Sequence, residues 1–268
     1  MNELGTDFLN TIKKSQVVSQ FAHLLESIYS PLDVVTLIHR YSLFAGKFAG
    51  GAATLAGAFH LRQDLFKDRD EKIQACADRG AEIAACIFAA VEDEYIDRHT
   101  FERITHRNLS QRTVKEAAVF YNIRPERFDL EIPLSFEMLQ ILNDVWAGFR
   151  INNLKTEADL FFALGFHVAN EIFAENEFQL INSFLIAHCP KLVDHLNAAK
   201  AYGWIESHTL VEADHVHCGL MAIDLATRYY VGPEPLKDLI DRIFEGLAFA
   251  IALELRVYDN IEPKLISR

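Results

Sequence analysis

Cysteine is scarce in this chain, and its placement excludes two classes of protein. Only four of the 268 residues are cysteine, and no two of them form a CxxC pair. This dispersal excludes a thiolate-rich zinc site and a disulfide framework. It is typical of reduced thiols, so we expect a cytoplasmic protein.

Basic residues are also fewer than acidic residues in this chain. Lysine and arginine number 26 against 38 acidic residues, which gives a net charge of −12, and no dense basic stripe occurs. These features argue against nucleic acid and anionic membrane surfaces as partners. The N-terminus lacks the layout of a signal peptide, and no uncharged stretch of about 18 residues follows, so we expect no membrane segment.

Strand-like alternation never lasts for more than a few residues, whereas apolar residues recur at helical spacing almost throughout. Half of the residues are hydrophobic, which is enough to form a substantial core. We therefore predict an all-α protein, and the absence of a linker or internal repeat favours one domain over residues 1–268. The predicted helices cover residues 7–29, 31–61, 70–108, 110–122, 133–152, 155–187, 190–202, 209–230 and 234–260.

Three potential metal ligands occur together near the C-terminus. His208, Glu212 and His215 are separated by four and three residues. At about 100° per residue, these spacings place the three side chains within about 60° of one another on one helical face. Small and apolar residues continue that face, so we expect it to be buried, where polar groups need partners such as a metal ion. A second register, Asp214 with His217, has the same three-residue spacing and stays open.

The start of this helix is predicted from a capping pattern. Thr209 and Glu212 have the spacing of a capping box, in which a hydroxyl and a carboxylate satisfy backbone amides at a helix N-terminus. We therefore expect the helix to begin immediately after His208.

A preceding helix offers two further ligands. Glu92 and His99 are seven residues apart, about 20° out of phase, and Phe88 and Tyr95 beside them indicate a buried face. Their backbones would be about 10 Å apart along the helix axis, so each would reach a different end of a two-metal site. His106 continues the same face as an alternative to His99.

A later helix contributes one more carboxylate. Glu171 lies in the middle of an apolar stripe, where an unpaired carboxylate is costly and needs a cation. His167, one turn earlier, is expected to hydrogen-bond with Glu171 or to line the substrate cavity. Glu175 is the alternative ligand if Glu171 faces away.

These candidates amount to three carboxylates and three imidazoles from three helices. Oxygen ligands stabilise ferric iron and can bridge two ions, while imidazole keeps the ferrous form accessible. Iron is therefore the expected metal, with manganese as the alternative. The predicted metal ligands are Glu92, His99, Glu171, His208, Glu212 and His215.

The order of these motifs resembles that of the heme-oxygenase-like diiron oxidases and oxygenases, particularly their CADD-like members. The family pattern is a Glu followed seven residues later by a His, then a Glu on a later helix, then His-x3-Asp-x2-His near the C-terminus. Residues 39–52 are similar to helix two of that fold, and residues 244–254 are similar to its closing helix. The similarity thus covers most of the chain.

The C-terminal motif departs from the family pattern in one position. Glu212 stands where the family has Asp. A shift by two residues would use Asp214 and His217 instead, but it would put Leu210 at the place of the first His.

The resemblance implies a heme-oxygenase-like helical bundle that binds two iron ions. It implies that O2 is the co-substrate in the oxidation of a small organic molecule derived from an amino acid or a fatty acid. We further expect an external electron donor and a homodimer, with Tyr41 and Tyr95 as candidate cavity or redox residues. Two alternatives stay open, namely a metal-free enzyme of the same fold, like the thiaminase-related or pyrroloquinoline-quinone-forming members, and a non-enzymatic binding protein.

Overall fold

The computed structural model describes residues 3–96 and 104–261, and this part of the chain is an all-α bundle, as predicted. Its extended pairings are limited, within these ranges, to two isolated bridges between loops. The helices are α1 (Glu3–Ser15), α2 (Val17–Glu26), α3 (Pro31–Ala45), α4 (Phe48–Leu61), α5 (Gly80–Tyr95), α6 (His106–Phe120), α7 (Pro125–Glu131), α8 (Phe136–Gly148), α9 (Glu157–His188), α10 (Pro190–Ala198), α11 (Gly203–Tyr229) and α12 (Leu236–Ile261).

Helix α9 forms the centre of the bundle. Its 32 residues begin at the Thr156 N-cap, and residues 160–173 are buried on every side of the helix. A helix that is apolar all round must be covered by neighbours, and α9 packs against α11, α12 and α4. Neither α9 nor any other helix in the described ranges has the length and apolar character that a membrane crossing requires.

Two glycines allow a close contact between α9 and α12. Gly165 of α9 lies against the backbone of Ile243, and Gly246 of α12 lies against the carbonyl of Phe162. A side chain at either position would collide with backbone atoms, so the pair sets how closely α12 approaches α9.

The packing of α5 and α11 positions the candidate ligands. Helix α11 packs on both α9 and α5, while α6 contacts α3, α5 and α11. One carboxylate from each of α5 and α9, together with imidazoles of α6 and α11, therefore faces one region between these helices.

Several helix boundaries differ from the sequence prediction. The predicted helix over 7–29 is two helices, because Gln16 has a left-handed backbone with φ of 63°. The predicted helix over 31–61 is interrupted at Gly46 and Lys47. Helix α5 begins at Gly80, ten residues later than expected, and α7 occupies a segment where we predicted no helix.

The predicted start of α11 is also wrong. The helix begins at Gly203, so the metal-ligand motif lies in its second turn and beyond. The Thr209 hydroxyl donates to the carbonyl of Glu206, within the helix, and does not cap an N-terminus. The spacing of Thr209 and Glu212 matches a capping box, but this local pattern gives no information about the helical residues that precede it.

Candidate metal centre

Six potential ligands from α5, α6, α9 and α11 form two groups. The Glu94 group consists of Glu94, His106 and His208, and the Glu171 group consists of Glu171, Glu212 and His215. Within each group, one ligand atom from every residue lies within 4.8 Å of the others. All of these residues are buried except Glu94, which is partly exposed.

The Glu94 group is arranged around one carboxylate oxygen. Glu94 Oε1 lies 3.3 Å from His106 Nδ1 and 3.4 Å from His208 Nε2. His208 Nδ1 donates to the carbonyl of Trp204 at 2.7 Å, which leaves Nε2 directed at the group. The ring also stacks on Phe178, with 4.0 Å between the ring centroids. These contacts hold His208 in the orientation that a metal ligand needs.

The Glu171 group is arranged around His215. Its Nδ1 lies 3.3 Å from Glu212 Oε2 and 3.5 Å from Glu171 Oε2. Its Nε2 donates to the carboxylate of Asp93 at 3.1 Å. Because that carboxylate of α5 accepts the Nε2 proton, Nδ1 is the nitrogen available to a metal ion.

Glu212 connects the two groups. Its Oε1 lies 3.8 Å from His208 Nε2, while its Oε2 faces His215 Nδ1. One carboxylate thus presents an oxygen to each group, as a bridging ligand between two ions does. Glu212 and His215 also have the Glu-x-x-His spacing found in helical carboxylate-bridged two-metal sites.

The ionisation of these residues shows that the carboxylates depend on nearby cations. Burial acts to raise the pKa of Glu94, but hydrogen bonds from His106 and His208 lower it to about 2. Burial acts to lower the pKa of His215, but the hydrogen bonds that its ring donates to Glu171 and Glu212 raise it to about 11. In the metal-free chain, protonated imidazoles therefore balance the buried carboxylates, and a bound metal cation would replace those protons.

Four of the predicted ligands lie in these two groups, namely Glu171, His208, Glu212 and His215. His99 lies outside the described residues. Asp214 and His217, the pair of the second register, are both exposed on the opposite side of α11. The structure therefore favours the register of His208, Glu212 and His215.

The predicted inward orientation of Glu92 is wrong. Glu92 is exposed, and the aromatic neighbours that indicated a buried face, Phe88 and Tyr95, are 49% and 50% exposed. The buried face of α5 instead leads to Glu94, which lies about 200° around the helix from Glu92. A four-four-three spacing could have identified this face, since it joins Ile83, Ile87, Val91 and Glu94.

Sequence reasoning also missed Asp93, which it did not name as a site residue but which is 6% exposed and accepts from His215. His106, our alternative to His99, is the first residue of α6 and belongs to the Glu94 group. Glu175 is partly buried on another side of α9, beside residues of α1 and α2. His167 Nδ1 lies 3.3 Å from Glu171 Oε1 without hydrogen-bonding geometry, and burial lowers its pKa.

A cavity lies directly beside both groups, and its wall includes five of the six ligands. Most of the remaining wall is apolar, with Phe44, Phe48, Ala52, Val91, Ala174 and Phe178. Tyr41 also lines this cavity and donates to Glu177 Oε2 at 2.5 Å, whereas Tyr95 does not line it. An apolar molecule in this space would lie against the candidate ligands.

Comparison of the chain with models of protein families, with curated proteins and with solved structures finds no match. The resemblance to the heme-oxygenase-like family stays a prediction from the sequence motifs. A proposal for the function of the chain therefore rests on the geometry of its site.

Proposed function

We propose that this chain is a non-heme diiron, O2-dependent oxidase or oxygenase that acts on a small organic molecule. The observation that carries the proposal is the position of Glu212, whose two carboxylate oxygens face the two groups. A single three-residue cluster would suit one structural ion, but two adjacent groups that share a carboxylate suit two ions.

The ligand chemistry favours iron. The six side chains supply three carboxylates and three imidazoles and no thiolate, a set that suits iron and manganese better than a structural zinc site. Three carboxylates balance most of the charge of two divalent ions. Two ferrous ions bound here would supply electrons to O2, and an external donor would restore them after each turnover.

The chain's own residues hold and orient this ligand set. Glu94, His106 and His208 would hold one ion, and the Glu171 group would hold the other. The carboxylate of Asp93 keeps the Nε2 proton of His215 away from the site, while the Trp204 carbonyl does the same for His208 Nδ1. Such outer hydrogen bonds fix the tautomer and the ring orientation before an ion binds.

The cavity provides the space in which a substrate would bind beside the candidate ligands. Phe178 stacks on His208 and also lines the cavity, so a bound molecule would contact the ring that packs on a ligand. The apolar wall favours an organic molecule with a hydrocarbon part. This is the arrangement that an oxidase for a small organic substrate requires.

Metal content tests the proposal directly. The metal-free chain is titrated anaerobically with ferrous iron, separated from unbound metal and analysed for iron and manganese. We expect about two irons per chain, followed by conversion to ferric iron when O2 is admitted, in the presence of candidate substrates. Glu175→Gln is the matched control, since Glu175 lies on another side of α9.

Two other results would each contradict one part of the proposal. No more than trace iron or manganese after reconstitution would contradict the two-metal centre and favour acid-base chemistry by the buried histidines and glutamates. An iron-loaded chain that stays ferrous in air with every candidate substrate would contradict the oxidase.

A further inference from the structure

The cavity beside the metal centre has a second polar region that the six proposed ligands do not include. It contains Glu177 of α9 and Glu254 of α12, together with Tyr41 and Tyr258. Both carboxylates line the cavity, and they are 1% and 2% exposed. Two deeply buried acids at one place need compensation.

The tyrosines provide that compensation for Glu177 alone. Tyr41 donates to its Oε2 at 2.5 Å, and Tyr258 donates to its Oε1. Glu254 differs, because its Oε2 is buried and has no hydrogen-bond partner among the described residues. A buried carboxylate oxygen without a donor is costly, so this atom points to a missing ligand.

Asn170 supplies a second unpaired acceptor on the same cavity wall. Its Nδ2 donates to the carbonyl of Phe166 at 2.6 Å, which identifies Oδ1 as the other atom of the amide. Within the described ranges, Oδ1 also lacks a hydrogen-bond partner. The cavity thus offers two acceptors that fit a ligand carrying N–H donors.

The charges of the side chains on the cavity wall indicate whether the ligand is a cation or an anion. In the part of the chain that the structure describes, no lysine or arginine lines the cavity. Burial raises the pKa of Glu254 well above its ordinary value, and the nearby carboxylate of Glu177 raises it further. A cation at this place would favour the ionised carboxylate of Glu254, whereas a ligand carboxylate would oppose it.

We propose that Glu254 and Asn170 bind the ammonium group of a small aliphatic primary amine. Its hydrocarbon part would lie along the apolar wall, which includes Phe44 and Phe178, beside the candidate ligands. As a statement about substrate, this inference rests on the proposed oxidase function. It narrows the substrate class to amines without a carboxylate, and therefore disfavours fatty acids and ordinary amino acids.

Calorimetric titration with three matched probes tests this inference. n-Hexylamine, n-hexanol and hexanoate have chains of similar length and differ in the charge of the head group. They are titrated at neutral pH into the metal-free chain and, anaerobically, into the iron-loaded chain. We expect n-hexylamine to bind at least about tenfold more tightly than n-hexanol, and hexanoate not to bind, because hydrogen bonds to charged groups are strong.

Two variants and one control assign the binding to named residues. Glu254→Gln keeps the shape of the side chain and should remove the preference for the amine. Asn170→Ala should weaken n-hexylamine binding independently, which keeps the test decisive if the first variant folds poorly. Glu245→Gln, an exposed position on α12, should bind the amine like wild type. All three variants should keep the wild-type iron content.

The outcomes separate this inference from the proposed function. Equal binding of n-hexanol or hexanoate, or unchanged n-hexylamine affinity in Glu254→Gln, would overturn the amine site. If such a chain still held two irons, the oxidase proposal would stand with another substrate class. A chain that prefers n-hexylamine but holds no iron would retain the amine site and overturn the two-metal centre.

Discussion

At the scale of single residues, two of the candidate ligands are oriented by a hydrogen bond on the side of the ring that faces away from the site. His208 and His215 each use one ring nitrogen to donate to a fixed acceptor, the Trp204 carbonyl or the Asp93 carboxylate. The other nitrogen of each ring then faces the carboxylates. Substitutions at these positions should therefore reduce metal binding, and a separate folding check is needed because each imidazole also balances buried carboxylates.

Glu94→Gln and Glu92→Gln make a matched pair on α5. We expect Glu94→Gln to retain about one iron per chain, because the Glu94 group loses its only carboxylate while the Glu171 group keeps two. Glu92→Gln should retain the wild-type content, since Glu92 is exposed. Iron analysis of both variants after anaerobic reconstitution decides the point, and the reverse ranking would place the ligand at Glu92.

The histidines of α11 give a second matched set. His208→Ala and His215→Ala should each reduce iron content, because each removes an imidazole from one group. His217→Ala should bind iron like wild type, since His217 is exposed on the other side of the helix. Elemental analysis with circular dichroism as a folding check measures both effects. Loss of iron in His217→Ala alone would transfer the site to the second register.

At the scale of helices, the bundle depends on the close contact of α9 and α12. Gly165 and Gly246 let the two backbones meet, and the contact aligns the cavity walls that carry Asn170, Glu177 and Glu254. A substitution at this contact must displace one helix from the other. Both the stability and the shape of the cavity should respond.

We expect Gly246→Ala to destabilise the chain by about 1–3 kcal/mol, because its methyl group would overlap the Phe162 carbonyl. Gly57→Ala is the control, since nothing lies near its added methyl group and alanine favours a helix by up to about 1 kcal/mol. Urea unfolding of both variants measures the difference. A Gly246→Ala chain as stable as wild type would show that α12 can shift without cost.

Much of the helical organisation was predicted from periodicity, but the orientation of α5 was not. Apolar spacing located α9, α11 and α12, and it brought Glu171, His208, Glu212 and His215 to buried faces. On α5, aromatic residues marked the wrong face, because Phe88 and Tyr95 remain half exposed. The apolar spacing of Ile83, Ile87 and Val91 leads instead to Glu94, on the face that packs against α4 and α11.

The cavity region of Glu177 and Glu254 was missed for a related reason. Each residue is one of several acids on a long helix, and the two helices are distant in sequence. Only the packing of α12 on α9 brings them to the same cavity. The signal in the sequence was an acidic residue within an apolar stripe of a helix. We used this signal to identify Glu171, and the same signal is present at Glu254.

At the scale of the whole molecule, the chain has a negative net charge, and several of its carboxylates lie in the interior. The net charge is −12, and five carboxylates line one internal cavity. In the metal-free chain, His208 and His215 keep their protons because carboxylates surround them, and the pKa of each is raised. Folding of the metal-free chain is therefore linked to proton binding.

The sign of this linkage leads to a pH prediction. An imidazole whose folded pKa exceeds its unfolded value contributes stability that is complete below the unfolded pKa, about 6.5. That contribution is lost as the pH rises toward the folded pKa, which is about 11 for His215. Between pH 7 and pH 8.5, the metal-free chain should lose up to about 1.4 kcal/mol per pH unit for each imidazole that keeps its proton.

Iron should remove the part of this pH dependence that comes from His208 and His215, because a coordinated imidazole has exchanged its proton for the metal ion before the pH is raised. Glu254, whose pKa burial raises well above its ordinary value, contributes to the slope both with and without iron. Urea unfolding at pH 7.0, 7.75 and 8.5, with and without ferrous iron under anaerobic conditions, measures the two slopes. His39 does not disturb this window, because burial lowers its pKa to about 4 and its contribution is nearly complete by pH 7. A metal-free chain of constant stability from pH 7 to 8.5 would contradict the protonated pair of imidazoles. Equal slopes with and without iron would instead show that the bound metal does not replace these protons.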